Sequence, residues 1–188
     1  MQINNAKNIK KYKTILCVIF CLCALAVFLG LLRENRRENY KFAECMGDLH
    51  SVHWMVAMGA FENDPEKGRV IIDENWPDTY SFHRDGRYCS NLKLDWQQYP
   101  NISGIGLNKN LDKMNFSDIE KLGDIVFAAE TNNENNLISS PKDVAVRHFK
   151  YYGLLKKRGT IVTYCDGKTE FVKEENILKL NFKILGTK

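Results

Sequence analysis

The chain has 188 residues, of which 27 are basic and 23 acidic, for a formal net charge of +4. The charges are interleaved along the chain, so no basic face announces a nucleic-acid partner, and none is expected. With the first 32 residues set aside, about 156 remain, enough for one ordinary domain with its own core.

Residues 1–13 form a basic segment, with Lys7, Lys10, Lys11 and Lys13 and no acidic residue. The nineteen residues from Thr14 to Leu32 carry no charge at all. At a helical rise of about 1.5 Å per residue they span roughly 28 Å, the thickness of a bilayer's hydrocarbon core. The run is apolar on every face, whereas a core helix of a soluble domain keeps a polar stripe, so residues 14–32 are predicted to be a transmembrane helix. The preceding lysines place the amino terminus in the cytoplasm and the rest of the chain outside the inner membrane, a single-pass topology. Arg33, Arg36, Arg37 and Lys41 on the far side weaken that asymmetry. A cleaved signal peptide is the rival, since Ala24-Leu25-Ala26 has the small-x-small pattern, but Val27 to Leu32 would leave the cut in mid-run instead of at its polar edge.

Residues 33–62 are predicted to continue the helix. No proline interrupts them, and Phe42, Met46, Leu49, His53, Val56 and Ala60 recur at alternating spacings of four and three, the seam of a helix packed along one side. Gly47 and Gly59 argue against regularity. Asn63-Asp64-Pro65 ends the helix. His50 and His53 share a face at i, i+3, yet no neighbouring Cys, Asp or Glu completes a ligand set, so packing or surface histidines are expected there.

Residues 63–188 read as a globular extracytoplasmic domain. The stretch from Pro65 to Gly106 is rich in turns and in aromatics, with Trp76, Tyr80, Phe82, Tyr88, Trp96 and Tyr99 expected to cap a core, or else to line a ligand groove. Ser117-Asp118-Ile119-Glu120 has the form of a capping box opening a short helix that stops at Gly123. Then the period changes: Asp124–Glu130, Val144–Phe149, Thr160–Cys165 and Thr169–Val172 read as strands, with Asp166-Gly167 as the hairpin turn between the last two. The tract from Thr131 to Asn136 reads as a solvated loop, its single carboxylate, Glu134, too little for calcium. Glu174 to Leu180 adds a closing helical turn or strand. The predicted fold is α+β: a long amino-terminal helix, its first half transmembrane, packed on a small antiparallel sheet.

Cys17, Cys21 and Cys23 lie in the apolar run, and Cys45, Cys89 and Cys165 beyond it. No external pair has the C-x-x-C spacing of a zinc or redox site, and neither a metal nor a cofactor is expected. In an extracytoplasmic domain the preferred disulfide is Cys45 with Cys89, because Cys165 sits in a strand that reads as buried.

This layout resembles a type IV pilin or type II secretion pseudopilin. Cys45-Met-Gly-Asp-Leu49, with Phe61-Glu-Asn-Asp64 and Gly68 after it, is similar to the segment that follows the membrane helix in pilin-like proteins of planctomycetes and lentisphaeral bacteria. Tyr88-Cys89-Ser90 resembles a second segment of theirs. Arg147-His148, with Asp166-Gly167 downstream, resembles their carboxyl-terminal His-x-nine-Asp-Gly domain and marks His148, Asp166 and Gly167 as its motif residues. The chain departs from that pattern in having seventeen residues between His148 and Asp166, and in lacking the prepilin cleavage signature, including the glutamate that registers subunits in a filament. The resemblance implies a structural or interaction protein, not an enzyme, with membrane lipid, other pilin-like subunits or secretion machinery as partners. Two further readings stay open: a single-pass domain that binds a small ligand or glycan through its aromatics from Trp76 to Tyr99, and a tethered hydrolase. The second needs His148 and Asp166 within hydrogen-bond reach of each other and of a nucleophile.

Overall fold

The computed structural model describes residues 3–73, 76–80, 104–152 and 155–184. Helix α1 runs over Ile3–Asn63, and the chain divides into two units, Met1–Glu38 and Asn39–Lys188, a boundary that falls inside the stretch 33–62. In the first unit every side chain from Ile15 to Leu32 is exposed. This helix is long and apolar enough to cross a membrane.

The second unit is α+β, and its α1 residues pack on a small mixed sheet. Cys45, Leu49, Val52, Val56 and Ala60 are buried along one side of α1, with Phe42 and Met46 half-buried beside them, as the seam periodicity requires. The helix stops at Asn63, where the backbone amides of Lys67 and Gly68 turn back onto the Asp64 carbonyl. Gly59 has a packing reason: a Cβ there would run into the ring of Tyr80, which lies flush on the helix.

After a short helix α2 (Trp76–Thr79), the described chain forms β1 (Ile105–Asn108), α3 (Phe116–Glu120), β2 (Val126–Glu130), β3 (Leu137–Ile138), β4 (His148–Tyr152), β5 (Leu155–Tyr164) and β6 (Thr169–Lys173). Strand pairing runs β3-β1-β2-β5, and β4 and β6 each pair with β5 as well. All pairs are antiparallel except β1 with β3. Both faces of the sheet are covered. Phe127 and Ile161 join the cluster under α1, while Val126, Val162 and Val172 pack on the other side against Ile177 and Phe182 of the carboxyl-terminal segment. This two-sided burial explains why β2 reads as an unbroken apolar run instead of an alternating one.

Three readings are corrected. The short helix starts after Asn115, which holds the N-cap position without a side-chain capping bond, and Ser117 lies inside it. Gly106, at the end of the stretch from Pro65 read as rich in turns, lies inside strand β1. The tract from Thr131 to Asn136 is solvated only in its middle, since both end residues are buried. The Asp166-Gly167 turn stands as expected: Gly167 takes φ +80° and its amide donates to the Tyr164 carbonyl at 2.9 Å.

Strand β5 organises the candidate site. Gly159 pairs with both His148 of β4 and Lys173 of β6, so β4 and β6 lie on opposite edges of β5. Val162 pairs with Ala129 of β2 and with Glu170 of β6, so β2 also lies opposite β6. Strands β2 and β4 therefore share one edge of β5, end to end, with a break between them at Thr160 and Ile161.

Candidate functional site

A break in a ladder leaves backbone donors without a strand partner, and buried donors must find one elsewhere. The last residue of β2, Glu130, supplies it. Its Oε2 accepts from the Ile161 amide at 3.0 Å and from the Thr160 hydroxyl at 3.1 Å, while its Oε1 lies 2.8 Å from His148 Nε2, at the first position of β4. The Sγ of Cys45, reaching down from α1, completes the group: one donor atom each from Cys45, Glu130 and His148 lie within 4.8 Å of one another. Cys45 and His148 are 1 % exposed and Glu130 is 0 % exposed. The ring of Phe42, one turn before Cys45, meets the imidazole edge to face at 6.1 Å between centroids.

Arg147 fixes the same break from the neighbouring position. Its guanidinium donates to the carbonyls of Gly104 (2.8 Å) and Thr131 and to Asn132 Oδ1 (2.6 Å), and its amide donates to the Gly159 carbonyl. The planar fork of arginine suits several fixed carbonyls at once. Together Arg147 and His148 tie the ends of β1, β2 and β4 to β5.

Cysteine, histidine and glutamate are also the residue types of a nucleophile, its base and the group that orients the base. Here all three are sealed in the core, so a substrate has no access to the sulfur. The arrangement can hold a compensated charge inside the domain, and its donor types are those that ligate transition metals.

The residues singled out by sequence fall in three places. Cys45 and His148 meet at this cluster, although 102 residues of chain separate them. Asp166 and Gly167 do not join them: the turn lies beyond Tyr164, five residues along β5 from the Gly159 that pairs with His148, roughly 16 Å at strand rise. His148 and Asp166 are thus not within hydrogen-bond reach, as the hydrolase reading would need. Gly167 instead lies against the ring of His53, where a Cβ would come within 3.3 Å of Cε1.

His53 and His50 do not converge on a ligand. His53 is buried, its Nε2 bonded to the Cys165 carbonyl at 3.1 Å and its ring flanked by Phe116 and Phe127, whereas His50 is exposed and accepts from Trp54 Nε1. Burial holds the His53 pKa below its ordinary value, outweighing the carbonyl of Cys165 and the carboxylates of Glu120 and Asp166. Burial likewise pushes the Cys165 thiol up to about 12, with Asp166 and Asp124 adding to it. Cys89, the expected partner of Cys45, lies outside the described residues, as do the aromatics from Phe82 to Tyr99. The two described rings of that set are core: Trp76 is fully buried and donates to the Asn136 carbonyl, and the Tyr80 hydroxyl accepts from the Ile71 amide.

Glu130 was missed as a site residue. Its only signal is a carboxylate ending the apolar run Val126-Phe-Ala-Ala-Glu130, where it reads as a strand end meeting solvent. Comparisons with protein-family models, curated proteins and solved structures returned no match to this chain.

Proposed function

We propose that this chain is a single-pass, membrane-anchored protein of pilin-like or pseudopilin-like type that works through lateral contacts along its helix, with its carboxyl-terminal domain outside the cytoplasmic membrane. The observation that carries the reading is the outward side of α1 in the second unit. While Val52, Val56 and Ala60 face the sheet, Trp54, Met58 and Phe61 are 59 %, 63 % and 46 % exposed. They form a groove of about 510 Å³ with Ala57, Phe116, Glu62 and Glu120. Large exposed apolar side chains grouped on one face mark a contact surface, and the exposed Ile15–Leu32 run supplies the means of concentrating such subunits in one plane. The partners expected on this reading are further pilin-like subunits or a secretion assembly.

The test is photo-cross-linking from a benzophenone amino acid placed at Met58 in the full chain, in membranes. The reading predicts adducts with a second copy or a neighbouring membrane protein, suppressed by Trp54→Glu. A chain that stays monomeric and forms only lipid adducts would refute it.

A further inference from the structure

The cluster at the β2–β4 break has a composition that an ion pair alone does not require. Glu130 and His148 would serve as a pair without a thiol, yet Cys45 brings its sulfur to within 4.8 Å of both donor atoms, and all three side chains are sealed from solvent. We propose that Cys45, Glu130 and His148 bind a divalent transition-metal ion, of the chemistry of zinc, as a structural cross-link between α1, β2 and β4.

Charge is compatible with it: metal binding displaces the thiol proton, and the two negative charges of the resulting thiolate and the carboxylate, beside a neutral imidazole, are cancelled by a 2+ ion in the dry interior. Donor chemistry selects the metal class: thiolate and imidazole suit zinc-like ions, and calcium or magnesium would demand an all-oxygen shell.

The outer contacts suit it too. Glu130 Oε2 is already held by the Ile161 amide and the Thr160 hydroxyl, which leaves Oε1 as the oxygen facing the cluster, and such second contacts are what orient a ligating carboxylate. The geometric demand is a rearrangement of about an ångström: at a metal–sulfur bond of about 2.3 Å the sulfur must sit about 3.6 Å from the other two donor atoms, against the 4.8 Å within which the three now lie. Tetrahedral ligation at bond lengths of about 2.0–2.1 Å puts nitrogen and oxygen about 3.3 Å apart. His148 Nε2 and Glu130 Oε1 are 2.8 Å apart, so the two must part by about 0.5 Å. Three protein donors leave a fourth position, for a water or another donor.

The site is new relative to the contact function proposed above and does not depend on it. It also competes with the sequence-derived disulfide, because a Cys45 joined to Cys89 has no thiolate to offer.

The experiment uses the full chain in detergent, expressed with added zinc, with zinc per chain measured by elemental analysis and the stripped protein refilled with Co2+. One zinc per chain is expected, with a thiolate-to-cobalt charge-transfer band that persists when Cys17, Cys21 and Cys23 are all serine and vanishes in Cys45→Ser. Should Cys45→Ser fail to fold, the stripped wild-type chain decides: its melting temperature must rise with zinc and not with magnesium. Zinc far below one per chain, a cobalt band that survives Cys45→Ser, no zinc-dependent rise in melting temperature, or a Cys45–Cys89 disulfide in the mature protein would each overturn the proposal.

Discussion

Replacing Glu130 with alanine removes the acceptor from three buried donors at once: the Ile161 amide, the Thr160 hydroxyl and His148 Nε2. Each buried donor that loses its acceptor costs about 1–3 kcal/mol. The Thr160 hydroxyl keeps a second acceptor in the Ile161 carbonyl at 3.5 Å, and solvent entering the cavity offsets part of the loss, so about 3–5 kcal/mol is the expected total. For a chain of this size a loss of that order lowers the melting temperature by roughly 10 °C. The assay is thermal unfolding of the full chain in detergent with chelator present, followed by near-ultraviolet circular dichroism, which reports packing of the domain and not the helical segment. Thr160→Val is the graded control: it removes a single donor and should cost far less. A fall of less than about 2 °C in Glu130→Ala would refute the reasoning, because a carboxylate that caps a ladder break cannot be dispensable.

Gly59→Ala should destabilise despite a helix-propensity gain of about 1 kcal/mol, because the new methyl meets the Tyr80 ring; a stabilised variant in the same melt would show that the ring moves aside freely. The depressed pKa of His53 makes the unfolded state the stronger proton binder, so this residue's contribution is present above pH 6.5 and is lost as pH falls below it toward the folded-state pKa. His53→Gln should flatten that part of the pH dependence between pH 7.5 and 5, and an unchanged difference between the two melts would contradict the assignment. Trp54→Glu should leave the melting temperature almost unchanged, since the indole is mostly exposed, while removing cross-links from position 58.

Much of the fold was legible in the sequence, for identifiable reasons. The α1 seam reads directly because one side of a long helix repeats its apolar positions at three and four, and the burial of Leu49, His53, Val56 and Ala60 follows that repeat. The β5–β6 hairpin reads from Asp166-Gly167 because the turn demands a positive φ that glycine supplies. Strand β1 was hidden by its own Gly106, which local reasoning takes for a turn. In the structure Gly106 lies within reach of Ile138 and Thr131 side chains, so its reason is tertiary. The buried cluster was half legible. The resemblance singled out Cys45 and His148, but nothing local signals that β2 and β4 share an edge of β5, and that shared edge turns a strand-terminal glutamate into a core residue.

The membrane anchor is the premise on which the contact function rests, and the measurement closest to it is the intact mass of the mature chain recovered from carbonate-washed membranes. The account predicts a chain that stays with the membrane and retains residues 14–32, whether or not residues before Thr14 are trimmed. A mature chain that begins after Ala26 and leaves the membrane in the wash would contradict it.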